Sequence, residues 1–277
     1  MAQTSTKKPV QHKVVNAAGG STPNIQQAGP VGNATGLRVG AVILWVAAIV
    51  FEVLAILVLF GKINLTFMPQ VGQLILFLVL DLVCLIIGSQ LWKKANHIDP
   101  ASEKNKFKFW LWNNMGVIVA AFAFIPFIVL CLTSKTTDKK TKTIAVVAAA
   151  VALLIGGATG IDYNPISAEE KEAAEEAINT DVYWAPFGKV YHTHMDCGAL
   201  NQTETLTQGN VEQAIAAGRT RLCSFCARKD DIDTTNIKTD DFGEAADAAK
   251  EAGVDEEVVD EVVEEVDEVV NGEGTAD

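Results

Sequence analysis

Five side chains able to hold a soft metal fall in one short stretch, Val182 to Lys229, in two groups: His192, His194 and Cys197, then Cys223 and Cys226. A Cys-x-x-Cys knuckle set against a His/Cys pair well upstream is spacing that suits a four-coordinate zinc site. Two intervening residues let both sulfurs point at one ion, and the distant pair supplies the remaining corners of the tetrahedron. The expected ligands are His192, Cys197, Cys223 and Cys226, and the expected cofactor is Zn2+. His194 has the same strand parity as His192 and is the alternative ligand. His192 is preferred because its longer loop to Cys197 gives the chain room to turn back.

Two other chemistries compete for these thiols. Cys223-Ser-Phe-Cys226 has the spacing of a thioredoxin-like redox pair, but that motif wants a strand before it and a helix after it. Here a helical pattern precedes the motif. A structural disulfide would leave Cys197 unpaired. Four protein ligands leave a metal no open position for a substrate water, so metal-assisted hydrolysis is not expected. No Ser/His/Asp arrangement or phosphate-binding glycine loop occurs, and no catalytic residue is assigned.

The order VYW-x-P-x-GKVYH-x4-C, then a helix ending AAG, then R-x-R-LC-x-x-C, resembles the Ada-type metal-binding domain, a small zinc module known from a DNA-repair methyltransferase. The resemblance covers Val182 to Lys229 and rests on Tyr191-His192, Cys197 and Cys223-x-x-Cys226. It implies a small α/β zinc fold. The repair module uses four cysteines and accepts a methyl group on the first, where this chain has His192. An imidazole is no comparable acceptor, because the nucleophile in that chemistry is a metal-activated thiolate. Phosphotriester repair is therefore not expected.

A second set of reactive groups lies in apolar surroundings. Glu52 and Asp81 each interrupt a long hydrophobic run, and an antiparallel hairpin would bring them to matching depth. An ionisable residue at mid-membrane costs about 2.5–3.5 kcal/mol on insertion scales and is a functional hypothesis by default. One reading is a proton or cation site used in coupled transport. The other is a protonated pair joining two helices by a hydrogen bond. Cys84 and Cys131 read as packing residues.

The elements that must carry these groups follow from hydropathy. Residues 39–60, 71–92, 110–132 and 143–160 are apolar runs, the first three long enough to cross a bilayer at helical rise and the fourth shorter and rich in Ala and Gly. The expected fold class is thus a membrane α-helical domain of about four transmembrane helices over residues 37–161. To it are added a small α/β zinc-binding domain at 181–229 and an acidic C-terminal helix. Trp45, Trp92, Trp110 and Trp112 lie mostly near run ends, as interfacial indoles do. Lysines crowd both the second and the third connection, so the positive-inside rule nearly cancels for four spans. If the third run, with Asn113, Asn114 and Pro126, is instead re-entrant, both Lys-rich loops are cytoplasmic and the zinc module lies outside. The preferred placement is extracytoplasmic, on a bacterial cell membrane.

The remaining segments are polar. Residues 1–36 have no apolar periodicity and no signal-peptide core, so disorder is expected and a cleaved leader is not. Ser167 and Glu170 have capping-box spacing and open a charged helical spacer within 162–180. In the module, Gly188 turns a hairpin, Asn210 and Gln213 open a helix that Gly218 stops, and Trp184 and Phe187 form the small core. Arg219 and Arg221 are expected beside the sulfurs, offsetting thiolate charge. Residues 230–241 read as a linker and 242–277 as an acidic helical tail, with valines at helical spacing from Val254 to Val270. Residues 240–277 hold 16 acids and one lysine, a balance of −15 in a chain of net charge −12. The rest of the chain is therefore near +3, and no basic field invites nucleic acid. The expected partners are a lipid bilayer and a protein docking on the module or on the 254–270 helix. The expected role is binding or sensing without catalysis.

Overall fold

The computed structural model describes residues 12–17, 31–135 and 137–271, which form two units: residues 33–165, and residues 166–271 together with the described residues before Gly32.

The first unit holds four helices long and apolar enough to span a membrane: α1 (Ala34–Leu59), α2 (Gln70–Ile98), α4 (Met115–Thr133) and α5 (Lys139–Gly160). A short helix, α3 (Lys106–Asn113), precedes α4. Asn33 opens α1 by accepting the Gly36 N–H, and Gly61 closes its far end at φ +66, where a side chain would be strained. The α1–α2 loop is held from within by Gln73, whose fully buried amide bonds to Asn64, Leu65 and Met68. The third apolar run is broken at Asn114, whose side chain donates to the Trp110 carbonyl. Beyond that break α4 runs uninterrupted through Pro126, so the proline neither ends the helix nor divides it. Asp138 caps α5 through the Thr141 N–H.

Apolar residues face both ways in this unit. The outer faces carry Ile43, Val46, Val79, Phe122, Val147 and Leu154, all well exposed, while the interior is lined by Ala48, Ala55, Ala120, Ala123, Ala145 and Ala149. Small residues inside and branched residues outside is the pattern of helices that pack closely in lipid. Helices α4 and α5 approach backbone to backbone, so that a Cβ added to Gly160 would lie 2.8 Å from the Gly116 carbonyl carbon and the Val117 nitrogen.

The second unit is built on two small sheets. In one, β1 (Lys13–Asn16) runs parallel to β4 (Thr205–Gly209), which pairs antiparallel with β2 (Val182–Trp184). In the other, β3 (Val190–Tyr191) runs parallel to β5 (Arg221–Leu222). Helices α6 (Ala168–Ala177), α7 (Val211–Ala216) and α8 (Ser224–Lys229) pack around them, followed by α9 (Asp241–Glu251) and α10 (Glu256–Asn271). Both α6 and α7 open with a reciprocal capping box, Ser167 with Glu170 and Asn210 with Gln213, and Gly218 at φ +84 follows α7.

Several expectations need correction here. Lys13–Asn16 is a strand because its Val14-Val15 pair extends the open edge of β4, and Ala34–Gly36 already belongs to α1. The rest of the expected disorder, at residues 1–11 and 18–30, falls outside the described residues. Residues 230–241 are no free linker: Thr239 bridges Leu222, and the Asp240 carboxylate accepts from the N–H groups of Ser224 and Gly243. Trp184 is core, but Phe187 sits on the Gly188 turn and is 91 % exposed. The tail is two helices, separated at Gly253, where φ is +85. The expected tail beyond Asn271 and the side chains of Val269 and Val270 lie outside the described residues.

Candidate metal centre

The parallel register of β3 and β5 pairs Tyr191 with Leu222, so the next residue on each strand, His192 and Cys223, emerges side by side. Three backbone hydrogen bonds fix these ends. His192 exchanges both backbone hydrogen bonds with Tyr183, at 2.7 and 2.8 Å, and the Cys223 N–H donates to the Tyr191 carbonyl at 3.0 Å. Cys226 follows in the first turn of α8, which Cys223 itself opens. Cys197 arrives from the loop after His192 and opens the 3-10 turn Gly198–Leu200. Tyr191 and Leu222, 1 % and 0 % exposed, anchor the strand ends in the core.

These four side chains are all buried, and their ligand atoms lie within 4.8 Å of one another. Cys197 Sγ is 3.9 Å from Cys223 Sγ, and Cys226 Sγ is 3.8 Å from His192 Nδ1. A tetrahedron with arms of about 2.3 Å has edges of about 3.8 Å, so this spacing fits a four-coordinate ion. The cluster could therefore hold a metal ion, offering three soft sulfurs and one borderline imidazole nitrogen. The thiols already share hydrogen bonds. Cys226 is held far below the usual thiol range by Cys197 and Cys223, with His192 adding to the effect. Cys223 is pushed far up by its hydrogen bonding to Cys197 and Cys226 and by burial.

His194 goes elsewhere. Its Nε2 lies 2.6 Å from the Asp230 carboxylate at the end of α8, and the Thr193 hydroxyl donates to the same carboxylate at 2.5 Å. The two arginines expected beside the sulfurs also have other partners. Arg219 donates to the carbonyls of Ala185, Pro186 and Ala217, and Arg221 pairs with Asp241 and Glu244. Both arginines therefore tie loops and α9 to the module instead of offsetting thiolate charge.

A cover over the cluster was not visible in its motifs. Phe225 stacks on Phe242 at a centroid distance of 5.4 Å, and the Arg228 guanidinium lies over both rings. Val266 of α10 packs with Phe242 against the layer that contains Cys197, Leu200, Cys223 and Cys226. On α10, Val259 and Val263 are buried, while Val258 and Val262 face outward. Valine periodicity marked this helix, but only the three-dimensional contact shows that one of its faces covers the module.

In the membrane-length unit, Glu52 and Asp81 are buried, and Asp81 lies within reach of the charge of Glu52. The hydrogen bond expected between them is not made. Glu52 Oε1 and both Asp81 carboxylate oxygens have no hydrogen-bond partner among the described residues.

No protein-family model matches this chain, and comparisons with curated proteins and with solved structures find no match either.

Proposed function

We propose that this chain is an integral membrane protein carrying a structural zinc module, and that it acts in binding or sensing, not catalysis. The observation that supports it is the buried His192–Cys197–Cys223–Cys226 cluster, whose four ligand atoms converge on one point. Three thiolates and one imidazole suit Zn2+, and four protein ligands make a closed, structural site. When bound, the ion would tie the ends of β3 and β5 to α8 and to the loop at Cys197. The resemblance to Ada-type modules points the same way, with His192 in place of the alkyl-accepting cysteine.

Thiol redox chemistry at Cys223 and Cys226 is the weaker reading, because each is 1 % exposed and a dithiol partner needs access to one sulfur. The bilayer is the first partner, through the four apolar helices. The bacterial cell membrane is the proposed location, with the module on the extracytoplasmic side. Lys135 just before α5, Lys139, Lys140 and Lys142 in its first turn, and the lysine-free residues just after it favour that side.

The test is elemental analysis of the full-length protein purified in detergent without added metal. One zinc per chain, lost in Cys226→Ser, is the expected result. A metal-free protein with a Cys223–Cys226 disulfide would overturn it.

A further inference from the structure

Helix α2 turns a line of polar residues into an otherwise apolar bundle. Gln73, Asp81, Ser89 and Asn96 are 0 %, 0 %, 1 % and 2 % exposed. They recur about every two turns of helix, and so share one face. The residues at the two ends are partnered: Gln73 holds the α1–α2 loop, and the Asn96 amide donates to the Trp112 carbonyl. The middle pair is not. Neither Asp81 oxygen nor the Ser89 hydroxyl has a partner among the described residues, and Glu52 Oε1 on the facing helix has none.

The charges around this site are few. Glu52 is the one charged residue of α1 besides Arg38, and Arg38 is taken by Asp99 at 2.6 Å. On α2 itself, Cys84 is the titratable neighbour of Asp81. Lys93, Lys94 and His97 follow three or more turns later. Helix α4 contributes only Cys131, and α5 has no charged residue beyond Lys142. Among the described residues, no cation is found facing the two acids. Bare carboxylates in such surroundings are costly, and two of them repel. Hard divalent ions take six to eight oxygen ligands, more than two carboxyl groups supply. A proton removes the charge and needs no further ligand.

We propose that Asp81, together with Glu52, is a proton-binding site inside the bundle. One carboxylate takes up one proton to become the neutral acid. This site is separate from the metal centre and does not depend on it.

The test is infrared spectroscopy of the full-length protein in phospholipid vesicles, titrated from acid to alkaline pH and transferred to deuterated water. A carboxylic C=O band typical of apolar surroundings should give way to carboxylate bands as pH rises. Asp81→Asn should abolish that band, and Glu52→Gln should shift it. The site is overturned by absence of the band at every pH, by a band that ignores pH, or by one that survives both acid substitutions. If Asp81→Asn does not fold, the parent titration and Glu52→Gln decide alone.

Discussion

His192 Nδ1 lies 3.8 Å from Cys226 Sγ, whereas His194, two residues further on, places its Nε2 2.6 Å from Asp230. The two imidazoles therefore divide the work, one facing the thiols and the other closing the outer loop. Apparent binding free energies of structural zinc are about 10–16 kcal/mol, and much of this is folding free energy. His192→Ala should lower metal affinity by orders of magnitude and abolish cooperative unfolding of the module. His194→Ala should keep its metal and cost about 1 kcal/mol or less, since a partly exposed side-chain hydrogen bond contributes little. Metal content and thermal melts of the two variants, side by side, check both halves.

Motif spacing carried much of the candidate site, because Cys-x-x-Cys and a His/Cys pair constrain geometry locally. The four long apolar helices were legible for a similar reason, since length and hydropathy are properties of the segment alone. What stayed hidden depends on partners distant in sequence. Lys13–Asn16 is a strand only because β4 offers an edge to it, and Thr239 is ordered only by Leu222. Arg219 and Arg221 are close to Cys223 in sequence, yet β5 turns them towards carbonyls and α9. The polar face of α2 could have been found from the regular spacing of Gln73, Asp81, Ser89 and Asn96, which apolar periodicity obscured.

The contact between α4 and α5 depends on two glycines. A methyl group on Gly160 would fall 2.8 Å from backbone atoms of Gly116 and Val117, which cannot swing aside as a side chain can. Gly160→Ala should separate the helices and destabilise the bundle by about 1–3 kcal/mol, the usual cost of overpacking. Gly157→Ala meets nothing within 4 Å and is the control. Unfolding midpoints in detergent should fall for the first and not for the second.

Helix α10 presents Val259 and Val263 inward, each 7 % exposed, with Val266 against the cysteine layer. Val259→Asp with Val263→Asp should lift this cover, because burying two unpaired carboxylates costs more than the valine contacts return. The ligands themselves are untouched. Metal transfer to a chromogenic chelator should become faster by at least tenfold, while the stoichiometry at rest stays the same. Val258→Asp with Val262→Asp alters the outward face and should leave the transfer rate unchanged.

The ends of α2 and the segment after α5 are joined by a buried pair, His97 Nε2 to Asp162 at 2.9 Å. Burial alone would raise the Asp162 carboxyl, but the hydrogen bond and charge of His97 oppose it. The Asn164 N–H and the Lys93 charge act in the same direction, leaving the carboxyl below its ordinary range. A depressed carboxyl contributes stability that is fully present above its unfolded value, about 3.9, and is lost as pH falls through the folded value. Its contribution should therefore be constant through neutral pH and disappear only in acid. Asp162→Asn keeps an acceptor for His97 but removes the charge. At neutral pH it should cost about 1–3 kcal/mol, as for a lost charge-assisted hydrogen bond. In acid the variant and the parent should converge. Unfolding of both proteins in detergent across that range is the measurement, and a gap that stays constant down to the lowest pH would show that the pair adds nothing through its charge.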